Sequence, residues 1–131
     1  MSEIPDTQAI LEAQMSEALS RVRHEIANGL VIKFEETYEP PDESNVSYGG
    51  RALVELVGAY VREGSIVMLA WIKDRNFPDQ VIDEFSKMLW QRVRGELAKR
   101  IPDLKWMHLE GCFFDSVEDL ERGAFFCRGD E

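Results

Sequence analysis

Residues 66–72, Ile-Val-Met-Leu-Ala-Trp-Ile, are apolar without interruption. Side chains alternate across a strand, so Ile66, Met68, Ala70 and Ile72 face one way and Val67, Leu69 and Trp71 the other. A strand apolar on both sides belongs inside a sheet whose two faces both need cover. This stretch lies within a run over 65–73, and residues 51–62 form a companion run rich in Val, Leu and Tyr, with Glu63-Gly64 between the two. Paired apolar runs around a Gly turn predict a β-hairpin. Leu53, Leu56, Val57, Tyr60 and Val61 also stand at helical spacing. We read both runs as strands.

The stretch after the hairpin changes period. Val81, Ile82, Phe85, Met88, Leu89, Val93, Leu97 and Ile101 follow at three- and four-residue steps, which is one broad helical stripe. Pro78-Asp79 opens this helix and Pro102 ends it. Acids lie at its start (Asp79, Asp83, Glu84) and bases at its end (Arg92, Arg94, Lys99, Arg100), as the helix dipole favours. One helix covers part of one sheet face. The other face needs the N-terminal helix or another subunit.

That N-terminal helix is expected over residues 6–28. Asp6 or Thr7 can cap it, Leu11, Met15, Ala18, Leu19, Val22 and Ile26 form its stripe, and Asn28-Gly29 closes it. Residues 30–38 read as a half-exposed edge strand, with Leu30, Ile32 and Phe34 on one side and Lys33 and Glu35 on the other. Residues 39–50, EPPDESNVSYGG, read as a long acidic loop, and loops of that length are often functional. Leu104–Phe114 reads as a strand with Leu104, Trp106 and His108 on one face. Residues 116–120 read as a helical turn and 124–127 as a last short strand. The expectation is a single α+β domain over 1–131, helices packed on a mainly antiparallel sheet, in the order α-β-β-β-α-β-(α)-β.

Charge and composition bound the function. The chain carries a net charge of −10. A phosphate-backbone binder normally shows a basic footprint, so direct nucleic-acid contact is not expected. A basic protein partner is compatible with the charge. The opening MSEIPDTQ lacks the basic and apolar segments of a signal peptide. No apolar run approaches the roughly 20 residues that span a bilayer. We expect a cytoplasmic protein without membrane contact, in which Cys112 and Cys127 are free thiols and small core residues.

Catalytic constellations are hard to assemble from these residues. His108, Cys112 and Cys127 do not have a standard zinc spacing and lack an evident fourth ligand. His24 and His108 are the only imidazoles for a nucleophile's base. His108 is flanked by Trp106 and Glu110 on one strand face, which allows a His–Glu pair, but the expected reading is a partly exposed structural histidine. No metal, cofactor or catalytic residue is assigned.

Four resemblances follow from element order. The α-β-β-β-α-β order resembles the core of restriction-type nucleases, for which Glu55 would be the first metal-binding acid. The third strand ends Trp71-Ile72-Lys73, so the acid two before Lys73 is missing. The strand–loop–helix over 67–93 resembles acetyltransferases, which cradle the pyrophosphate of acetyl-coenzyme A at a Gly-rich turn. Here that turn is Asp74-Arg75-Asn76-Phe77-Pro78-Asp79, with no Gly and two flanking acids. A degenerate acetyltransferase-like domain is the enzyme alternative.

In size and element order the whole chain is similar to small tail-completion (tail terminator) proteins of tailed phages. That resemblance implies a subunit that assembles into a ring. Small acidic secretion chaperones are similar too. The expected function is therefore a non-enzymatic, protein-binding, self-associating domain, a homo-oligomer whose further partner is unidentified. An acidic inhibitor of a basic protein is a further alternative. The expected contact residues are Tyr60 and Trp71 on the sheet, with Tyr38, Tyr48, Asp42 and Glu43 around the long loop.

Overall fold

The computed structural model describes residues 7–42 and 45–129. The elements run α1 (Thr7–Ala27), β1 (Val31–Tyr38), β2 (Tyr48–Arg62), β3 (Ser65–Asn76), α2 (Ile82–Arg100), β4 (His108–Phe114), α3 (Val117–Arg122) and β5 (Phe126–Gly129). This is the expected α+β order. The strands form one five-stranded sheet in chain order, β1-β2-β3-β4-β5. Each neighbouring pair is antiparallel except β3 and β4, which are parallel and joined through α2. A parallel pair needs such a crossover, because its connection must return the whole length of the strand. No helix among the described residues is long and apolar enough to cross a membrane.

The β2–β3 hairpin turns on two residues. Glu63 and Gly64 both take positive φ, 50° and 79°. That is the backbone of a type I′ turn, whose twist suits the flanking strands. The strands are not in perfect step. Leu56 pairs with Ala70 but Gly58 pairs with Leu69, so Val57 is an extra residue. The buried positions of β2 shift there from Ala52, Val54 and Leu56 to Ala59. This slip from even to odd spacing gave the run its helical overtone.

One face of the sheet holds the main core. It joins Val54, Leu56, Ile66, Met68, Ile72, Leu109 and Phe113 from the strands to Phe85, Leu89, Trp90, Val93 and Leu97 of α2. Ala18 and Val22 of α1 enter the same cluster. Arg23 of α1 donates to the Ala59 carbonyl through Nε (3.2 Å) and Nη2 (3.0 Å). Both long helices therefore lie on one side. Two strand glycines let α2 come close. A Cβ on Gly50 would stand 2.4 Å from Phe85 Cε1, and one on Gly111 would stand 2.8 Å from Trp90 Cε3.

The structure corrects several boundaries. Tyr48, Gly49 and Gly50 belong to β2, so the loop expected over 39–50 is shorter. Gly50 reads as a loop residue in sequence, yet it is where the Phe85 ring rests on bare backbone. Residues Pro102–Trp106 form a 3₁₀ turn, and β4 begins only at His108. Pro102 fits the first position of such a turn, and Leu104 N–H donates back to the Ile101 carbonyl at 3.0 Å. Leu104 is thereby fully buried, while Trp106 is 87% exposed and leaves the face assigned to it. The last strand lies at 126–129 rather than 124–127. Asp6, a candidate cap for α1, lies outside the described residues.

Candidate functional site

The face of the sheet turned away from α1 and α2 is the candidate site. Alternation and register place Leu53, Glu55, Val57, Tyr60 and Arg62 of β2 there. β3 contributes Val67, Leu69, Trp71 and Lys73, and β4 contributes Glu110, Cys112 and Phe114. Val57 is 41% exposed and Tyr60 38%. Leu53, Leu69 and Trp71 are half-buried. Among the described residues, the C-terminal segment meets this face at the β4 end, where Phe125 meets Phe114 edge-on with centroids 6.1 Å apart.

Two ion pairs stretch across this face. Arg62 on β2 donates from Nη2 to both oxygens of Glu110 on β4, at 3.1 and 3.0 Å. β3 runs between them, and Val67 stands in register with Tyr60 on one side and Glu110 on the other. Val67 is fully buried, although no helix among the described residues lies over this face. The bond to Glu110 also raises the pKa of the Arg62 guanidinium above its ordinary value. Further up the sheet, Lys73 Nζ lies 2.5 Å from Glu55 and 4.5 Å from the centre of the Trp71 ring. Trp71 stacks on Phe114 with planes 8° apart and centroids at 6.4 Å. A cation thus caps an aromatic row running Trp71–Phe114–Phe125.

The charges of the face nearly balance. Lys33, Arg51, Arg62 and Lys73 stand against Glu35, Glu55 and Glu110, on a chain whose net charge is −10. A groove of about 670 Å³ along β1 is equally mixed, with Lys33, Arg51 and Arg92 against Glu35, Glu36 and Asp74. Its lining has no net sign with which to select an ionic ligand.

The expected contact residues divide. Tyr60 and Trp71 share the open face. Tyr38 and Tyr48 pair with each other at the far end of β1 and β2, and both pack against the main core. Tyr38 meets the Phe85 ring edge-on at 6.4 Å, and the Tyr48 hydroxyl accepts from Gln80 at 3.1 Å. Asp42 is exposed, and Glu43 lies outside the described residues. The His–Glu pair does not form. His108 is exposed at the start of β4, and Glu110 is held by Arg62 instead.

The two cysteines, fifteen residues apart, face each other directly across β4 and β5, with Sγ atoms 2.6 Å apart. Cys112 is buried, as expected, but Cys127 is exposed rather than a core residue. Burial pushes the Cys112 thiol up to about 12, and its hydrogen bond with Cys127 adds to this. Both sulfurs and a Glu110 oxygen lie within 4.8 Å of one another, a spacing that could hold a cation. A metal would need Cys112 as thiolate and would take Glu110 from Arg62.

At the carboxyl ends of β3 and β4, Arg75 bridges Asp79 (2.7 Å) and Asp115 (3.2 Å). Its buried Nη1 has no hydrogen-bond partner among the described residues, and its guanidinium lies 5.2 Å from the Phe77 ring centre. Burial raises the Asp115 carboxyl, helped by its hydrogen bond with Asp119. Arg122 holds Asp119 below its ordinary value. The start of α2 is similarly engaged. Arg128 of β5 binds the Asp83 carboxylate and donates to Ser86 Oγ at 2.9 and 3.0 Å. A helix start carrying Asp83 and Glu84 is a poor cradle for the pyrophosphate an acetyltransferase would bind.

Comparison of the chain with protein-family models, curated proteins and solved structures finds no match. The site therefore rests on its geometry. Sequence alternation pointed to Trp71 and Leu69. It carried no signal for the Arg62–Glu110 bridge, whose partners are 48 residues apart.

Proposed function

We propose that this chain is a non-enzymatic protein-binding subunit that associates with copies of itself through the open face of its sheet. One observation carries the reading. Both long helices pack on the same side, so among the described residues Leu53, Val57, Tyr60, Leu69 and Trp71 have no helix above them. Aromatic and aliphatic side chains grouped on one face, with charged residues among and around them, are the usual anchors of an interface. The occupant follows from charge. Two chains of net −10 repel over most of their surface. They can meet on the face where Lys33, Arg51, Arg62 and Lys73 offset Glu35, Glu55 and Glu110.

This role suits an assembly subunit of the kind that the size and element order suggest, such as a phage tail-completion protein. The test uses Val57→Glu and Tyr60→Glu, both at exposed positions. The native chain should elute from size exclusion as an oligomer, and each variant should elute as a monomer that keeps the native circular-dichroism spectrum and still unfolds cooperatively. A native monomer at micromolar concentration would overturn the reading, and so would variants that still assemble.

A further inference from the structure

Cys112 and Cys127 are the chain's only cysteines. Antiparallel register sets them directly opposite each other, and the sulfurs already touch at 2.6 Å. Opposed residues in an antiparallel pair have Cα separations that a disulfide can span. Access is asymmetric, because Cys127 is exposed and Cys112 is 3% exposed. One thiol can meet a reagent from solvent while the other waits beneath it. We propose that this pair is a thiol–disulfide site, oxidised by small-molecule disulfides of the glutathione type, which locks β5 onto β4.

The steps balance. Cys127, as thiolate, attacks one sulfur of the small disulfide RSSR. A Cys127–SR bond forms, the S–S bond of RSSR breaks, and RS⁻ leaves to take up the proton Cys127 released. Cys112 then gives up its proton and attacks Cys127 Sγ. The Cys112–Cys127 bond forms, the Cys127–SR bond breaks, and the second RS⁻ leaves as RSH with the Cys112 proton. The two protein thiols lose two electrons, and RSSR becomes two RSH. Cys112's deep burial makes the second step the slower one.

The product has a structural consequence. The closed loop contains α3 and Phe125, and Phe125 is the ring that covers Phe114 at the end of the aromatic row. Oxidation therefore fixes the part of the chain that borders the open face. Arg62 holds both oxygens of Glu110, so a metal at the two sulfurs would first have to break that ion pair.

The experiment incubates the purified full chain with oxidised and reduced glutathione at graded ratios. Free thiols, intact mass and thermal midpoint are then read. Both thiols should disappear together, with a mass loss of two hydrogens and no covalent dimer. Closing a loop of this size should raise the midpoint by roughly 10 °C. Cys112→Ser should stop at a mixed disulfide carrying one glutathione, and Cys127→Ser should leave Cys112 unreacted while the chain is folded. A native chain that keeps both thiols, stops at the mixed disulfide or crosslinks between chains would overturn the proposal. Stoichiometric binding of Zn²⁺ alone that protects both thiols from the disulfide would also overturn it, in favour of a metal centre with Glu110.

Discussion

Gly50→Ala tests how closely α2 is seated on the sheet. The added Cβ would stand 2.4, 2.8 and 2.9 Å from Cε1, Cδ1 and Cζ of Phe85. Carbon atoms in contact prefer about 3.5–4.0 Å, so the ring or the strand must move. The ring has little room. Phe85 is fully buried, stacked on Phe77 at 5.0 Å, and met edge-on by Phe34 at 6.3 Å and Tyr38 at 6.4 Å. Overpacking of this kind costs about 1–3 kcal/mol. Replacing a strand glycine by alanine returns roughly 0.5–1 kcal/mol of backbone entropy. The expected net loss is about 1–2 kcal/mol, read as a lower urea midpoint with unchanged m-value.

Gly49→Ala is the control, because a Cβ there meets nothing within 4 Å. It should be neutral or slightly stabilising. Phe85→Leu should relieve the clash, so the Gly50→Ala penalty should shrink by at least about 0.5 kcal/mol in that background. Equal effects of Gly49→Ala and Gly50→Ala, or strictly additive behaviour with Phe85→Leu, would refute the reasoning.

Three further outcomes follow. Arg128→Ala unties β5 from the start of α2 and should cost about 1–2 kcal/mol. Arg128→Lys should not restore the loss, because a single ammonium cannot reach Ser86 and Asp83 as the forked guanidinium does; urea unfolding of both variants checks this. Cys112 keeps its proton in the folded chain up to about 12, whereas an unfolded thiol releases it near 8.5. The folded state then binds more protons across that window, so stability should fall as pH rises from about 8.5 towards 12, and Cys112→Ala should flatten that part of the pH–stability curve. Arg62 reaches Glu110 across the strand that carries the buried Val67, and the stem of a long basic side chain covers apolar surface that its charge does not. Arg62→Met should keep more of the thermal midpoint than Arg62→Ala, and an equal drop in both would assign the effect to charge alone.

Much of the fold was legible because periodicity is local. The alternation over 66–72, the Glu63-Gly64 turn and the three- and four-residue stripe of 81–101 named two strands and a helix, and the structure has them. Pro102 marks the end of that helix, but the alternation over 104–106 mimics a strand where a proline-started 3₁₀ turn buries Leu104 and exposes Trp106. The run 104–109 alternates well enough for a strand, so the turn was masked. The side on which α1 packs was not legible either. Its stripe of Ala18 and Val22 says that it packs, and only the distant Arg23–Ala59 contact says where.

The candidate site was half visible for the same reason. Alternation put Trp71 and Leu69 on a second apolar face. Arg62 and Glu110 meet only because register brings them together across the strand that carries Val67. The Cys112–Cys127 contact depends on β4 and β5 pairing in one particular register. No spacing rule reveals such a pair in advance.

The central claim is that the sheet face without helices is a surface for copies of the same chain. The most direct measurement is the mass of the native protein by light scattering behind size exclusion, over a range of concentrations. The mass should be a whole multiple of 15.1 kDa, greater than one, and should hold steady on dilution through the micromolar range. A mass of one chain at every concentration would contradict it, and would leave Val57, Tyr60, Leu69 and Trp71 as a face that water alone covers.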